Sequence, residues 1–115
     1  MAMKLNKAAF DQAKRLIRDG NVVKDSDWSK AQPSAKEESR FLEDHDWDDY
    51  GKWYLARDTE DDKDTKGGHN FPYGDFKKVH RKGLIAAKQR AAQNDYADIE
   101  KAADELLEMI DGDDK

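Results

Sequence analysis

"WDDYGKWYLARD", residues 47–58, is where two architectures for this chain part. Trp47, Tyr50 and Tyr54 keep the i, i+3, i+7 spacing of one helix face, with Trp53 beside them. Gly51 interrupts that pattern, and Lys52-Trp53-Tyr54-Leu55-Ala56 after it reads equally as a strand. A helix over about 47–56 leaves the chain a bundle, whereas a strand at 52–56 demands a pairing partner. We read the helix and keep the strand as the alternative. The fold class expected is mainly α: one domain over 1–115, four or five short helices, with a minor extended or hairpin element near 22–23 and 53–56.

Working upstream, Ser34-Ala35-Lys36-Glu37 is a capping box that starts a helix from Ala35 to about His45. Before it, residues 21–33 read as a loop in which Trp28 gains most by packing down on the core. Asn6 caps a helix over about 7–19, with Leu5 and Phe10 as a hydrophobic staple and Gly20 as the stop. Working downstream, residues 57–70 are charged and without apolar periodicity, so a mobile acidic loop is expected there. Asp75 is placed to cap a helix from Phe76 onward. Asn94-Asp95 breaks the chain, and Tyr96, Ile99, Ala102, Ala103, Leu106, Leu107 and Ile110 form the cleanest amphipathic stripe, ended at Gly112. The tail after it should fray.

Charged residues make up 41% and hydrophobic ones 37%, near the balance where burial stops offsetting chain entropy. Three Trp, four Tyr and four Phe argue for a folded domain with a thin core. Cysteine is absent, which excludes disulfides, thiolate metal sites and a cysteine nucleophile and fits a cytoplasmic protein. The first residues lack the apolar core of a signal peptide, and no apolar run approaches the roughly 18 residues of a bilayer span. The net charge of −5 is unevenly spread: residues 43–64 and 94–115 each carry −7, while residues 66–90 carry +6.

That basic block raises the sharpest functional alternatives. Lys77, Lys78, Arg81 and Lys82, with Lys88 beyond, would present a positive helix face able to neutralise phosphates, with Phe71 and Tyr73 upstream as stacking groups. The competing reading is intramolecular, the face being screened by the acidic loop or the last helix. Phe71, Pro72, Tyr73, Gly74 and Asp75 form an aromatic-anchored turn in which Pro72 biases Phe71 toward extended geometry.

Other chemistries fit poorly. From Asp58, an EF-hand register would need Gly at its sixth position and a carboxylate at its twelfth, and finds Lys63 and His69. His45, His69 and His80 lack the spacing that puts two imidazoles on one helix face. Gly67-Gly68 and Gly74 match no phosphate-loop pattern, and Ser26, Ser29, Ser34 and Ser39 sit in no nucleophile motif. Neither a metal, a cofactor nor a catalytic residue is expected.

Trp53-Tyr54-Leu55, Asp58 to Asp64, Phe71-Pro72-Tyr73-Gly74-Asp75, Leu84-Ile85-Ala86-Ala87 and Ile99 to Leu107 together resemble a short module of uncharacterised bacterial and phage-encoded proteins, including segments near phage head-maturation proteins. The resemblance covers about half of the chain. It implies a small helical adaptor-like unit and carries over no catalytic residue. The expected function is therefore non-enzymatic: binding of a protein partner or a second copy. The alternatives are nucleic-acid binding through 76–90 and mimicry of a nucleic acid by the acidic segments.

Overall fold

In a computed structural model that describes residues 3–62 and 64–112, the chain runs β1 (Met3–Leu5), α1 (Lys7–Arg18), β2 (Val22–Val23), α2 (Trp28–Ala31), α3 (Ala35–Asp44), α4 (Trp47–Gly51), β3 (Tyr54–Asp58), a 3-10 turn (Lys66–Gly68), β4 (His69–Pro72), β5 (Val79–His80), α5 (Arg81–Gln93) and α6 (Ala97–Gly112). The fraying expected of residues 113–115 lies outside the described residues.

The expectation of a mainly α bundle with at most a minor extended element is overturned: among the described residues five strands form two sheets, so this is a small mixed α/β domain. The 47–58 stretch divides at Lys52. Asp46 caps α4, its carboxylate accepting the Asp49 amide at 2.8 Å, and Gly51 ends the helix. The chain then turns through Trp53, whose amide bonds to the Tyr50 carbonyl, into β3. β3 is the middle strand of an antiparallel sheet ordered β1-β3-β4. Tyr54, Leu55 and Ala56 are all buried, so both faces of the strand are covered and the two-residue alternation that signals a strand is erased. The Tyr50 and Tyr54 rings still meet, at 4.8 Å between centroids, although they sit on a helix and a strand.

The second sheet is a parallel pair, Val22 opposite Val79 and Val23 opposite His80. Its strand β5 occupies the place expected to be the first turn of a helix capped by Asp75. The Asp75 carboxylate does accept the amides of Lys77 (3.0 Å) and Lys78 (2.8 Å), as a helix cap would. Phe76, however, is left-handed at φ 69, and the Asp75 amide bonds back to the Lys78 carbonyl. The same side-chain chemistry thus closes an Asx turn instead of opening a helix. α5 begins only at Arg81.

Phe71 also departs from expectation. Although it precedes Pro72, it is left-handed at φ 64, between two ladder residues, Asn70 opposite Ala56 and Pro72 opposite Tyr54. Burial of its ring, edge-on to Tyr96 and beneath the Arg90 guanidinium, offsets the backbone strain. The acidic loop expected over 57–70 is shorter than that, because β3 runs to Asp58 and β4 starts at His69.

The core forms where α1 and the α5–α6 hairpin cover the β1-β3-β4 sheet, joining Ala9, Ala13 and Ile17 to Leu55, Leu84, Ile99, Leu106 and Ile110. α1 closes as a Schellman motif: the Gly20 amide bonds to Ile17 and that of Asn21 to Leu16, with Gly20 at φ 79. α5 ends in the same way with Asp95 in the left-handed position, the amides of Asp95 and Tyr96 bonding to Ala92 and Ala91. Trp28 is only half-buried, lying over Gly83, where a Cβ would meet its indole at 3.0 Å. Among the described residues, no helix is long and apolar enough to cross a membrane.

Candidate functional site

The turn between β4 and α5 gathers most of the residues singled out in the sequence. Its floor is a hydrogen-bonded string. Asp75 Oδ2 lies 2.9 Å from His80 Nε2, and Ser26 Oγ lies 2.9 Å from His80 Nδ1. Burial raises the Asp75 pKa, but the His80 imidazole and the amides of Lys78 and Lys77 outweigh it and hold the carboxyl below its ordinary range. An ionised carboxylate only accepts, so His80 Nε2 carries a proton, and in neutral His80 Nδ1 accepts from the Ser26 hydroxyl. His80 is buried, and its ring is tilted against Trp28 at 5.4 Å. The string thus ties the 24–27 loop to the start of α5.

Serine, histidine and aspartate in this order are the groups of a nucleophilic relay, with the ring nitrogens exchanged. Ser26 opens on a groove of about 620 Å³ that Asp25 and Asp27 also line. Those carboxylates have the wrong sign for an oxyanion developing at Ser26, and Lys82, which lines the same groove, stands 3.9 Å from Asp25. The arrangement suits a structural pin better than acyl transfer. We expect Asp75→Asn to flatten the acid limb of stability. With the native pKa depressed, the contribution is fully present above the unfolded value of about 3.9 and is lost as pH falls through the native one. Urea unfolding at stepped pH should show the gap between wild type and variant closing below about pH 4. A gap constant with pH would refute the linkage.

A ladder of stacked rings stands beside this string. The Phe76 ring lies on Phe41 at 4.5 Å, and Phe41 lies on His45 at 4.0 Å. Inward, Phe76 meets Trp53 edge-on at 6.0 Å. Phe41 and His45 belong to α3 and its C-cap, and α3 contains no buried residue. It is held instead by its capping box, by Glu38 accepting from the Tyr50 and Tyr54 hydroxyls, and by Lys66 donating to Ala35 O and Ser39 Oγ. The rings floor a groove of about 330 Å³, edged by Glu37, Arg40, Asp44, Asp75 and Lys77.

The five basic residues expected to form one helix face do not share a helix. Lys77 and Lys78 are exposed on the Asx turn, while Arg81, Lys82 and Lys88 are on α5. Arg81 makes a two-pronged contact with Asp111 on α6, Nε to Oδ1 at 2.9 Å. Lys88 donates to Asp104 at 2.7 Å, and Lys82 stands 3.9 Å from Asp25. These contacts lower the Asp111 pKa and raise that of Lys88. The −7 block of the last helix therefore faces part of the +6 block.

Phe71, Pro72, Tyr73, Gly74 and Asp75 are brought together as a turn, with Tyr73 fully buried and its hydroxyl donating to the Lys52 carbonyl at 2.7 Å. Sequence reading places Phe41 and His45 near one helix face but gives neither them nor Ser26 a site role. Ser26 is 54 residues from His80, and no spacing rule connects them. Phe41 and His45 carry a signal, four residues apart on a helix otherwise poor in apolar groups. Among the described residues, no group of three His, Asp or Glu side chains stands ready to hold a metal. No protein-family model, no curated protein and no solved structure matches this chain.

Proposed function

We propose that this protein is a non-enzymatic binding module of the cytoplasm that docks a protein partner on the shelf of Phe76, Phe41 and His45. The observation that carries this reading is the ring ladder itself. It continues the core aromatics out to α3, a helix that buries no residue of its own. Stacked rings at a groove offer a large apolar area at little conformational cost, the composition of interface anchors. The groove carries Glu37, Asp44 and Asp75 against Arg40 and Lys77, so a partner segment with one apolar anchor and mixed flanking charge fits it. Cysteine-free composition supports the cytoplasmic assignment.

Affinity capture from extract of the source cell, run in parallel with wild type and Phe41→Ala, tests this reading. A protein retained by wild type and reduced at least about tenfold by Phe41→Ala, with circular dichroism unchanged, is the expected result. Retention that is equal for both proteins, or that nuclease treatment abolishes, overturns it. The latter outcome would favour nucleic-acid binding through Lys77 and Lys78, the two cations of the turn that are exposed.

A further inference from the structure

We propose that the cleft between α4 and the β1-β3-β4 sheet binds a small oxyanion, phosphate or carboxylate, gripped by Arg57 and Lys52. The strand register is the first reason. Arg57 on the middle strand stands opposite Lys4 on β1 and opposite His69 on β4. Directly opposed residues share a sheet face, so the Lys4 and Arg57 cations lie in one row with the His69 imidazole, and two like charges side by side favour an anion joining them. The ion pairs of the described residues do not include Arg57.

The second reason is an unmade hydrogen bond. Arg57 Nε is shielded from solvent and has no hydrogen-bond partner. A guanidinium presents its donors as a planar fork matched to carboxylate and phosphate oxygens, and an unused buried donor is costly. Such a donor marks the place of an acceptor.

The third reason is the cleft itself, about 380 Å³, with Lys52, Asn6 and Trp47 on its walls and Asp48 as its one carboxylate. Lys52 reaches Asp49 at only 3.8 Å, a long pair that a better-placed anion displaces. Asn6, the cap of α1, places the positive end of that helix's dipole at the same cleft. His69 is stacked on Trp47 and met edge-on by Tyr50, both of α4, and at Gly51 beside them a Cβ would come within 3.0 Å of the imidazole. The site is independent of the ring shelf and of what docks there.

Nitrogen-15 NMR of the full chain tests this directly. Inorganic phosphate and sodium acetate are titrated separately against sodium chloride at matched ionic strength. The Arg57 Nε–H resonance should shift saturably with phosphate or acetate and not with chloride, and Lys52→Gln should weaken that binding about tenfold. Saturation by phosphate alone assigns a phosphoryl ligand, and saturation by acetate alone a carboxylate. Arg57→Gln should abolish the effect. Because Arg57 lies within the sheet, Lys52→Gln, which removes only the long Asp49 contact of a part-exposed side chain, keeps the test decisive if that variant unfolds. Shifts that do not saturate, that chloride reproduces, or that Lys52→Gln leaves unchanged overturn the proposal.

Discussion

Gly74→Ala should destabilise the protein by at least about 3 kcal/mol, a large part of the total stability of so small a domain. A Cβ at Gly74 would lie 2.5 Å from the Lys78 carbonyl oxygen and 2.7 Å from the Trp53 ring. Neither neighbour can yield cheaply. The Lys78 carbonyl accepts the Asp75 amide that closes the turn, and Gly74 bridges Val79 across it. The Trp53 ring is buried, stacked on Tyr73 at 5.7 Å and met edge-on by Phe76. Opening either contact loosens the turn that presents Asp75 to His80. A urea titration followed by tryptophan fluorescence measures the effect. Gly20→Ala is the control, since Gly20 is left-handed but nothing stands within 4 Å of its missing Cβ, and it should cost only about 1 kcal/mol. Equal midpoints for the two variants would show that the crowding around Gly74 is tolerated.

What was legible in the sequence is what local chemistry dictates. Asn6, Ser34 and the stripe from Ile99 to Ile110 each announce a helix through capping or periodicity, and each helix is present. The strands were hidden for different reasons. β3 is covered on both faces and so carries no alternation, and Trp47, Tyr50 and Tyr54 happen to share helical spacing across the Gly51 break. β5 is two residues long and exists because Val22 and Val23, far upstream, supply its partner. Asp75 shows the limit of capping rules: its carboxylate bonds to the second and third amides beyond it, as expected, yet the left-handed Phe76 sends the chain into a turn.

The functional surfaces were less legible because they are made by tertiary pairing. Lys77 to Lys82 reads as one positive face only if the segment is one helix. Once the turn takes Lys77 and Lys78, Arg81 and Lys88 are left opposite Asp111 and Asp104. Likewise, nothing in the chain announces that Arg57 will sit between Lys4 and His69. Only the register of three strands from distant segments produces that row.

Above about pH 10 stability should collapse with a slope approaching about 4 kcal/mol per pH unit. Three phenols carry this effect. Tyr50, Tyr54 and Tyr73 are buried, and burial is the main cause that raises each pKa above the ordinary phenol value. The Glu38 carboxylate adds to it for Tyr54 and Tyr50, since both hydroxyls donate to its Oε2, at 2.6 and 3.1 Å. For Tyr73, the Gln12 hydrogen bond and the Arg15 charge partly oppose the rise. A raised native pKa means that the stabilisation is complete below the unfolded value of about 10 and is lost as pH climbs toward the native one. Over that window the unfolded chain has released three protons that the native protein retains, which sets the slope. Tyrosinate absorbance and far-ultraviolet circular dichroism should therefore change together, in one cooperative step. Glu38→Gln removes the repelling charge, so Tyr50 and Tyr54 should ionise earlier in the native protein and the slope should become shallower. If tyrosinate from these three residues instead appeared gradually near pH 10 with the dichroism intact, the phenols would be open to solvent, and Glu38 would be holding α3 in place without sealing the rings beneath it.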